Sequence, residues 1–209
     1  MLEKELTKRL LAVDPSLTCT GWALFSVQTE ELLAVGKIRS MAARYALASR
    51  LEDLQRKIAQ VLEELNLSYN DVLVCESQTT MRDPRAAFLV EQVRGIFETL
   101  ARARSVTVPG RINPRSVQYE VMGLKGKQVS RTMVKDTALT IVQTVYGEAL
   151  QQMGFDFESA KLGKQQDIVD AILVGALGLT KISSATSAQV ALAEVFEEKR
   201  SKRTAYRVT

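Results

Sequence analysis

Leu10-Leu11-Ala12-Val13-Asp14-Pro15-Ser16 is the stretch whose reading decides the fold. Four consecutive apolar residues suit a strand buried on both faces. The run ends on a carboxylate and then a proline, which fixes φ and turns the chain. Gly21-Trp22-Ala23-Leu24-Phe25-Ser26-Val27 reads as a second strand returning beside the first. One carboxylate, Asp14, is thereby expected at the tip of a rigid central strand. Asp before Pro is ordinary turn chemistry, so Asp14 alone assigns no function. Burying its stem still calls for a compensating group, such as a cation.

Working outward, residues 32–38 supply a third strand after the polar turn at 28–31, completing an antiparallel meander. Residues 44–66 read as a helix, because Leu47, Leu51, Leu54, Ile58, Val61, Leu62 and Leu65 recur at three and four. Asp71-Val72-Leu73-Val74-Cys75 is a second unbroken apolar run, and it ends on Glu76. A strand after a helix implies a crossover to a parallel neighbour of the first strand. Asp14 and Glu76 then fall at the same edge of adjacent strands.

Beyond the polar loop at 77–84, the pattern predicts a helix over 85–104 interrupted at Arg94-Gly95, where glycine permits close backbone approach. A short strand over 105–108 ends at Pro109-Gly110. Asn113-Pro114 is a good helix start, and that helix ends near Gly123. A basic loop follows at 124–128, then a helix over 130–146 and an irregular stretch at 147–163. The last main helix starts near Lys164, with Asp167 and Asp170 on one face of its first turn. Dipole complementation alone would explain two acids there. Its remainder, from Ile172 to Leu179, is apolar nearly all round and is expected to pack on the sheet.

Composition narrows the chemistry. With 209 residues, one domain and a peripheral tail are expected. There is no histidine, which removes imidazole metal ligands and the usual Ser-His-Asp and Cys-His arrangements. Cys19 and Cys75 read as reduced, inert thiols in or near buried strands. Net charge is +4, but its placement is uneven. Residues 82–135 hold eleven Lys/Arg against four Asp/Glu, and residues 199–207 hold five basic residues and no acid. Such blocks suit a polyanion. The mixed-charge start is unlike a signal peptide, and the best apolar run, 171–179, is half a membrane span. A cytoplasmic protein with no membrane contact is expected.

Asp14, Glu76, Asp167 and Asp170 thus come from three segments that fit one sheet edge. Four carboxylates and no histidine make an oxygen-rich set suited to Mg²⁺ or Mn²⁺. Val13-Asp14-Pro15-Ser16 with Thr20-Gly21-Trp22, Cys75-Glu76-Ser77, residues 91–95 (Glu-Gln-Val-Arg-Gly) and residues 166–171 (Gln-Asp-Ile-Val-Asp-Ala) resemble, in order and spacing, the RuvC family of Holliday-junction resolvases. The resemblance covers about residues 9–181. Residues 117–129 also resemble that family's junction-contacting segment.

The resemblance implies an α/β, RNase H-like fold: a mixed five-stranded sheet, an antiparallel meander plus parallel strands, flanked by helices. It implies a nuclease domain over 1–182, leaving 183–209 as a helical and basic tail. It implies a crossover junction endodeoxyribonuclease in which Asp14, Glu76, Asp167 and Asp170 hold two Mg²⁺ ions per site, Mn²⁺ being able to substitute. The implied product is a symmetrically nicked four-way junction. The implied partner is branched DNA, bound by a homodimer through the 85–104 helix, with Phe88, Leu89 and Val93 as contact candidates.

Arg82, Arg85, Arg115, Gln118, Lys125, Lys127 and Arg131 are the candidate DNA contacts. Gln118 stands where the family often has a basic residue. Thr79 and Thr80 stand where it usually has an aromatic that stacks on junction bases, a departure that fits a divergent phage or mobile-element type. The missing aromatic gives an alternative: an RNase H-like branched-DNA binder with weak or no cleavage. A third reading, an actin-like ATPase, has the strand followed by Asp-Pro-Ser and a glycine, but no Gly-Lys-Ser/Thr loop.

Overall fold

The structure is a computed structural model that describes residues 7–77, 83–125, 130–155 and 163–197. Strands β1 (Arg9–Asp14), β2 (Cys19–Ser26), β3 (Leu32–Arg39), β4 (Asp71–Glu76) and β5 (Arg111–Ile112) form one sheet in the order β3-β2-β1-β4-β5. β1 and β2, and β2 and β3, pair antiparallel; β1 and β4, and β4 and β5, pair parallel. This is the expected mixed sheet. Helix α1 (Leu47–Glu64) makes the crossover from β3 to β4, as its apolar stripe requires.

Both central strands are buried on both faces, so each alternates between two cores. Leu11, Val13, Leu73 and Cys75 face α1 and helix α2 (Pro84–Arg102). Leu10, Ala12, Val72 and Val74 face the other way, with helix α4 (Arg131–Gln152) and helix α5 (Gln166–Ala188) on that side. Period-two alternation puts Asp14 and Glu76 on the α5 face. Far from that edge, Arg9 grips Asp71 bidentately at 3.0 and 2.6 Å, which locks the register of β1 on β4.

Helix α5 lies close on the sheet because it carries glycine where it crosses large side chains. A Cβ added at Gly175 would stand 2.1 Å from the Phe25 ring. By length and composition α5 could cross a membrane, which the shorter 171–179 run did not suggest. In the fold, 67% of its apolar window is buried inside the protein, as suits the central core helix.

Several local expectations are corrected. The segment expected as a strand at 105–108 pairs with the sheet only through Thr107, opposite Val72, and strand β5 follows Pro109-Gly110. Helix α2 runs unbroken through Arg94 and Gly95, and no atom approaches the Gly95 Cβ position within 4 Å. Helix α4 continues through Gly147 to Gln152 rather than stopping at Tyr146. The segment opened by Asn113 is a short helix α3 (Pro114–Ser116) followed by a π-helical turn (Val117–Val121). After α5 a short helix α6 (Leu192–Phe196) folds back, its Phe196 buried. Val93 is fully buried in the core between α2 and the sheet, so it offers no surface to a partner; Phe88 is 60% exposed.

Candidate active site

A single row crosses the sheet edge. Lys37 of β3 pairs with Gly21 of β2, and Gly21 pairs with Asp14 of β1. Glu76 follows immediately after the Val13–Cys75 pair of β1 and β4, and itself pairs with Ile112. The β1–β2 turn that carries Asp14 is pinned by Thr20: its hydroxyl donates to the Ser16 carbonyl (2.8 Å) and accepts from the Ser16 N–H (3.0 Å). Asp14 is therefore the end of a rigid strand, braced by a buried threonine.

Gly21 explains how the acids of α5 reach this edge. A Cβ there would lie 1.8 Å from the Asp167 carbonyl oxygen. The missing side chain lets the first turn of α5 rest on β2, between Asp14 and Lys37. Asp167 and Asp170 thus overhang the row that holds Asp14 and Glu76.

The electrostatics follow from this crowding. Asp14 and Glu76 are half-buried and hydrogen-bonded to one another. Burial, then the charges of Asp170 and Asp167, push the Asp14 carboxyl up to about 7, against the opposing effect of its Glu76 hydrogen bond. Burial and the Asp14 and Asp170 charges push Glu76 well above the ordinary range. Asp170 rises to about 6, chiefly through burial; a hydrogen bond from Gln166 (2.7 Å) and the Lys135 charge oppose the rise. Asp167 pairs instead with Lys37, Nζ to Oδ2 3.7 Å.

The donor set fits a hard divalent cation: all ligand atoms would be carboxylate oxygens, and acids forced to share a proton gain from a cation in its place. Asp167 and Asp170 meanwhile keep partners of their own, Lys37 and Gln166. Among the described residues no group of three or more Asp, Glu, His or Cys side chains converges to hold a metal ion.

A cleft of about 410 Å³ opens beside these acids, lined among others by Glu76, Gln118, Arg131, Lys135, Asp167 and Asp170. Of the expected DNA contacts, Gln118 and Arg131 line it. Arg85 is exposed on the first turn of α2, and Arg115 on α3. Lys125 is exposed too, its ammonium 6.0 Å from the Tyr119 ring centre. Arg82 and Lys127 lie outside the described residues, as do Thr79 and Thr80. Reasoning from sequence missed Lys37, and counted Lys135 in the basic block at 82–135 without singling it out. Lys135 could have been found by its place four residues after Arg131; Lys37 needs the β2–β3 register. Cys75 is buried, which holds its thiol up, while Cys19 is half-exposed and its thiol is raised by burial and by nearby Asp167.

No family model matches the chain. It is 33% identical over 115 residues to the crossover junction endodeoxyribonuclease RuvC of Parvibaculum lavamentivorans, covering 54% of this chain and 63% of that protein. The matched part is thus just under two thirds of that relative's length. The RuvC of Rhodospirillum rubrum is 33% identical over 121 residues, covering 56% of this chain and 68% of that one. In fold, the chain is similar to Thermus thermophilus RuvC in complex with a Holliday junction substrate: TM-score 0.61 at 16% identity, covering 86% of this chain and 96% of that chain.

Proposed function

We propose, since this chain belongs to the RuvC family of Holliday-junction resolvases within the RNase H-like superfamily, that it is a metal-dependent endonuclease that resolves four-way DNA junctions. The observation that carries the reading is the meeting of Asp14 and Glu76 under the first turn of α5, with Asp167 and Asp170 above them. Carboxylates buried next to one another suit divalent-cation chemistry better than structure alone.

Asp14, Glu76, Asp170 and Asp167 would hold two Mg²⁺ ions, or Mn²⁺ in their place. Bound ions of this kind lower the pKa of an attacking water and neutralise the leaving 3′-oxygen. The chain's own part is to hold the acids on rigid elements: Asp14 on a central strand, Glu76 on its parallel neighbour and Asp170 on a core helix. Arg131 and Lys135, on the cleft wall, would hold backbone phosphates beside the acids. Arg85, Arg115 and Lys125 would extend the contact to the arms, and the uncharged Gln118 would lie against the strand at the cleft; Arg82 and Lys127, outside the described residues, are proposed as contacts from the family resemblance alone. Phosphate positions and bend, rather than base edges, would select a junction.

A homodimer through α2 would place two sites on one junction. Its support is the exposed Phe88 and the open approach over Gly95. A cytoplasmic location accords with a DNA substrate and with two unpaired cysteines.

One observation favours a second reading, a branched-DNA binder that cuts weakly or not at all: among the described residues no three acids are placed to hold one metal ion. A labelled four-way junction with Mg²⁺ separates the two. Paired nicked duplexes are expected from the resolvase; a shifted but intact junction is the binder's result and would overturn the proposed reaction.

A further inference from the structure

The row that ends the sheet carries a lysine beside its acids. Lys37, Gly21 and Asp14 are register partners on three neighbouring strands, all on the face covered by α5. Gly21 leaves a gap that the Asp167 carbonyl fills. The start of α5 therefore lies between Asp14 on one side and Lys37 on the other. The Lys37 side chain is only 13% exposed, and its ammonium has two partners. It donates to the Lys164 carbonyl at 3.2 Å, in the turn just ahead of α5, and it stands 3.7 Å from Asp167 Oδ2. Among the described residues the other acids have no cation within 4 Å: Asp170 accepts from the neutral Gln166 amide, with the Lys135 charge farther off, and Asp14 and Glu76 bond to each other.

We infer that Lys37 is a positioning residue whose fixed charge occupies Asp167, leaving Asp14, Glu76 and Asp170 as the acids most open to a divalent ion. The inference rests on the divalent-ion reading above. An ammonium within 4 Å of a carboxylate offsets its attraction for a second cation, to a degree that solvent reduces at a partly exposed pair. The bond to the Lys164 carbonyl holds that charge at the turn just ahead of the helix, beside Asp167. A lysine with only a structural task would hold the turn and leave cation affinity unchanged. Charge separates the two roles.

Mn²⁺ binding to the full chain, followed by the electron paramagnetic resonance signal of free Mn²⁺, tests this without any cleavage. Lys37→Met removes the charge and the donor. Lys37→Gln removes the charge but keeps a donor for the Lys164 carbonyl. Lys37→Arg keeps the charge, and Arg56→Met removes an equal charge on α1, across the sheet. Lys37→Gln and Lys37→Met are expected to bind Mn²⁺ about two- to fivefold more tightly than wild type, with Lys37→Arg and Arg56→Met unchanged. Unchanged or weaker binding by Lys37→Gln, with wild type binding normally, overturns the inference and leaves the proposed function standing. Wild type that binds no Mn²⁺ overturns both.

Discussion

Asp14 and Glu76 stand side by side at the ends of parallel strands β1 and β4 and share a hydrogen bond. Burial and the charges of Asp170 and Asp167 push Asp14 up to about 7, so a proton is held between the two acids. Folding alone therefore sets these groups against ionisation.

The consequence for stability has a definite sign. A carboxyl whose folded pKa is raised keeps its proton in the folded state after the unfolded chain has lost it. Its stabilising share is full below the unfolded value of 3.8 and is lost as pH rises through about 7. Without divalent ions, the wild-type thermal midpoint should fall between pH 4 and 7 relative to Asp14→Asn, by an amount worth on the order of 2–4 kcal/mol. Calorimetry of both proteins across that window checks this; parallel pH profiles would contradict it.

The approach of α5 to the sheet depends on one absent side chain. Gly21→Ala would place a Cβ 1.8 Å from the Asp167 carbonyl oxygen, against backbone that cannot swing aside. The helix start must shift. Loss of about 2 kcal/mol or more is expected in urea unfolding, together with loss of cleavage. Gly95→Ala, where nothing lies within 4 Å, should leave monomer stability unchanged or slightly raised.

At the opposite end of β1, Asp71 is buried under Arg9 and also accepts from the Ser68 N–H at 2.8 Å. Asp71→Asn should cost about 2–4 kcal/mol of stability by leaving the guanidinium poorly matched. Junction binding by the folded fraction should be normal, because the pair is remote from the cleft. A gel-shift affinity that fell in step with stability would refute that separation.

Arg131 and Lys135 share one face of α4 at the cleft. Replacing both by glutamine should weaken junction binding across sequences and lower the slope of log Kd against log salt by roughly 1 to 2. An unchanged slope would remove both from the phosphate path.

Much of this was legible in the chain itself. Leu10–Val13 and Val72–Cys75 are apolar without interruption, so they had to be central strands, and each ends in an acid. The parallel crossover through 44–66 then brought Asp14 and Glu76 together. What was hidden depends on register or on tertiary support. Lys37 joins the row only through the β2–β3 pairing. Arg111–Ile112 is too short to show a strand period, and it forms because β4 offers it an edge. Gly95 and Gly147 read as breaks, yet α2 and α4 run through them, since packing on a core outweighs a glycine's cost of about 1 kcal/mol. Residues 91–95 drew attention as a motif; in the fold the buried Arg94 is clasped by Glu91 and by Glu98, three residues past the motif, with Arg111 3.7 Å from each acid. The i, i+3 and i, i+4 spacing contained that clasp, though not the strand it faces.

The measurement that bears most directly on the central claim compares wild type and Asp14→Asn on one labelled four-way junction, with binding scored without Mg²⁺ and cleavage scored with it. The account predicts equal binding, within about twofold, and a fall in cleavage rate on the order of a thousandfold, since the lost carboxylate supports several kcal/mol of transition-state stabilisation. Cleavage by Asp14→Asn at the wild-type rate would contradict it.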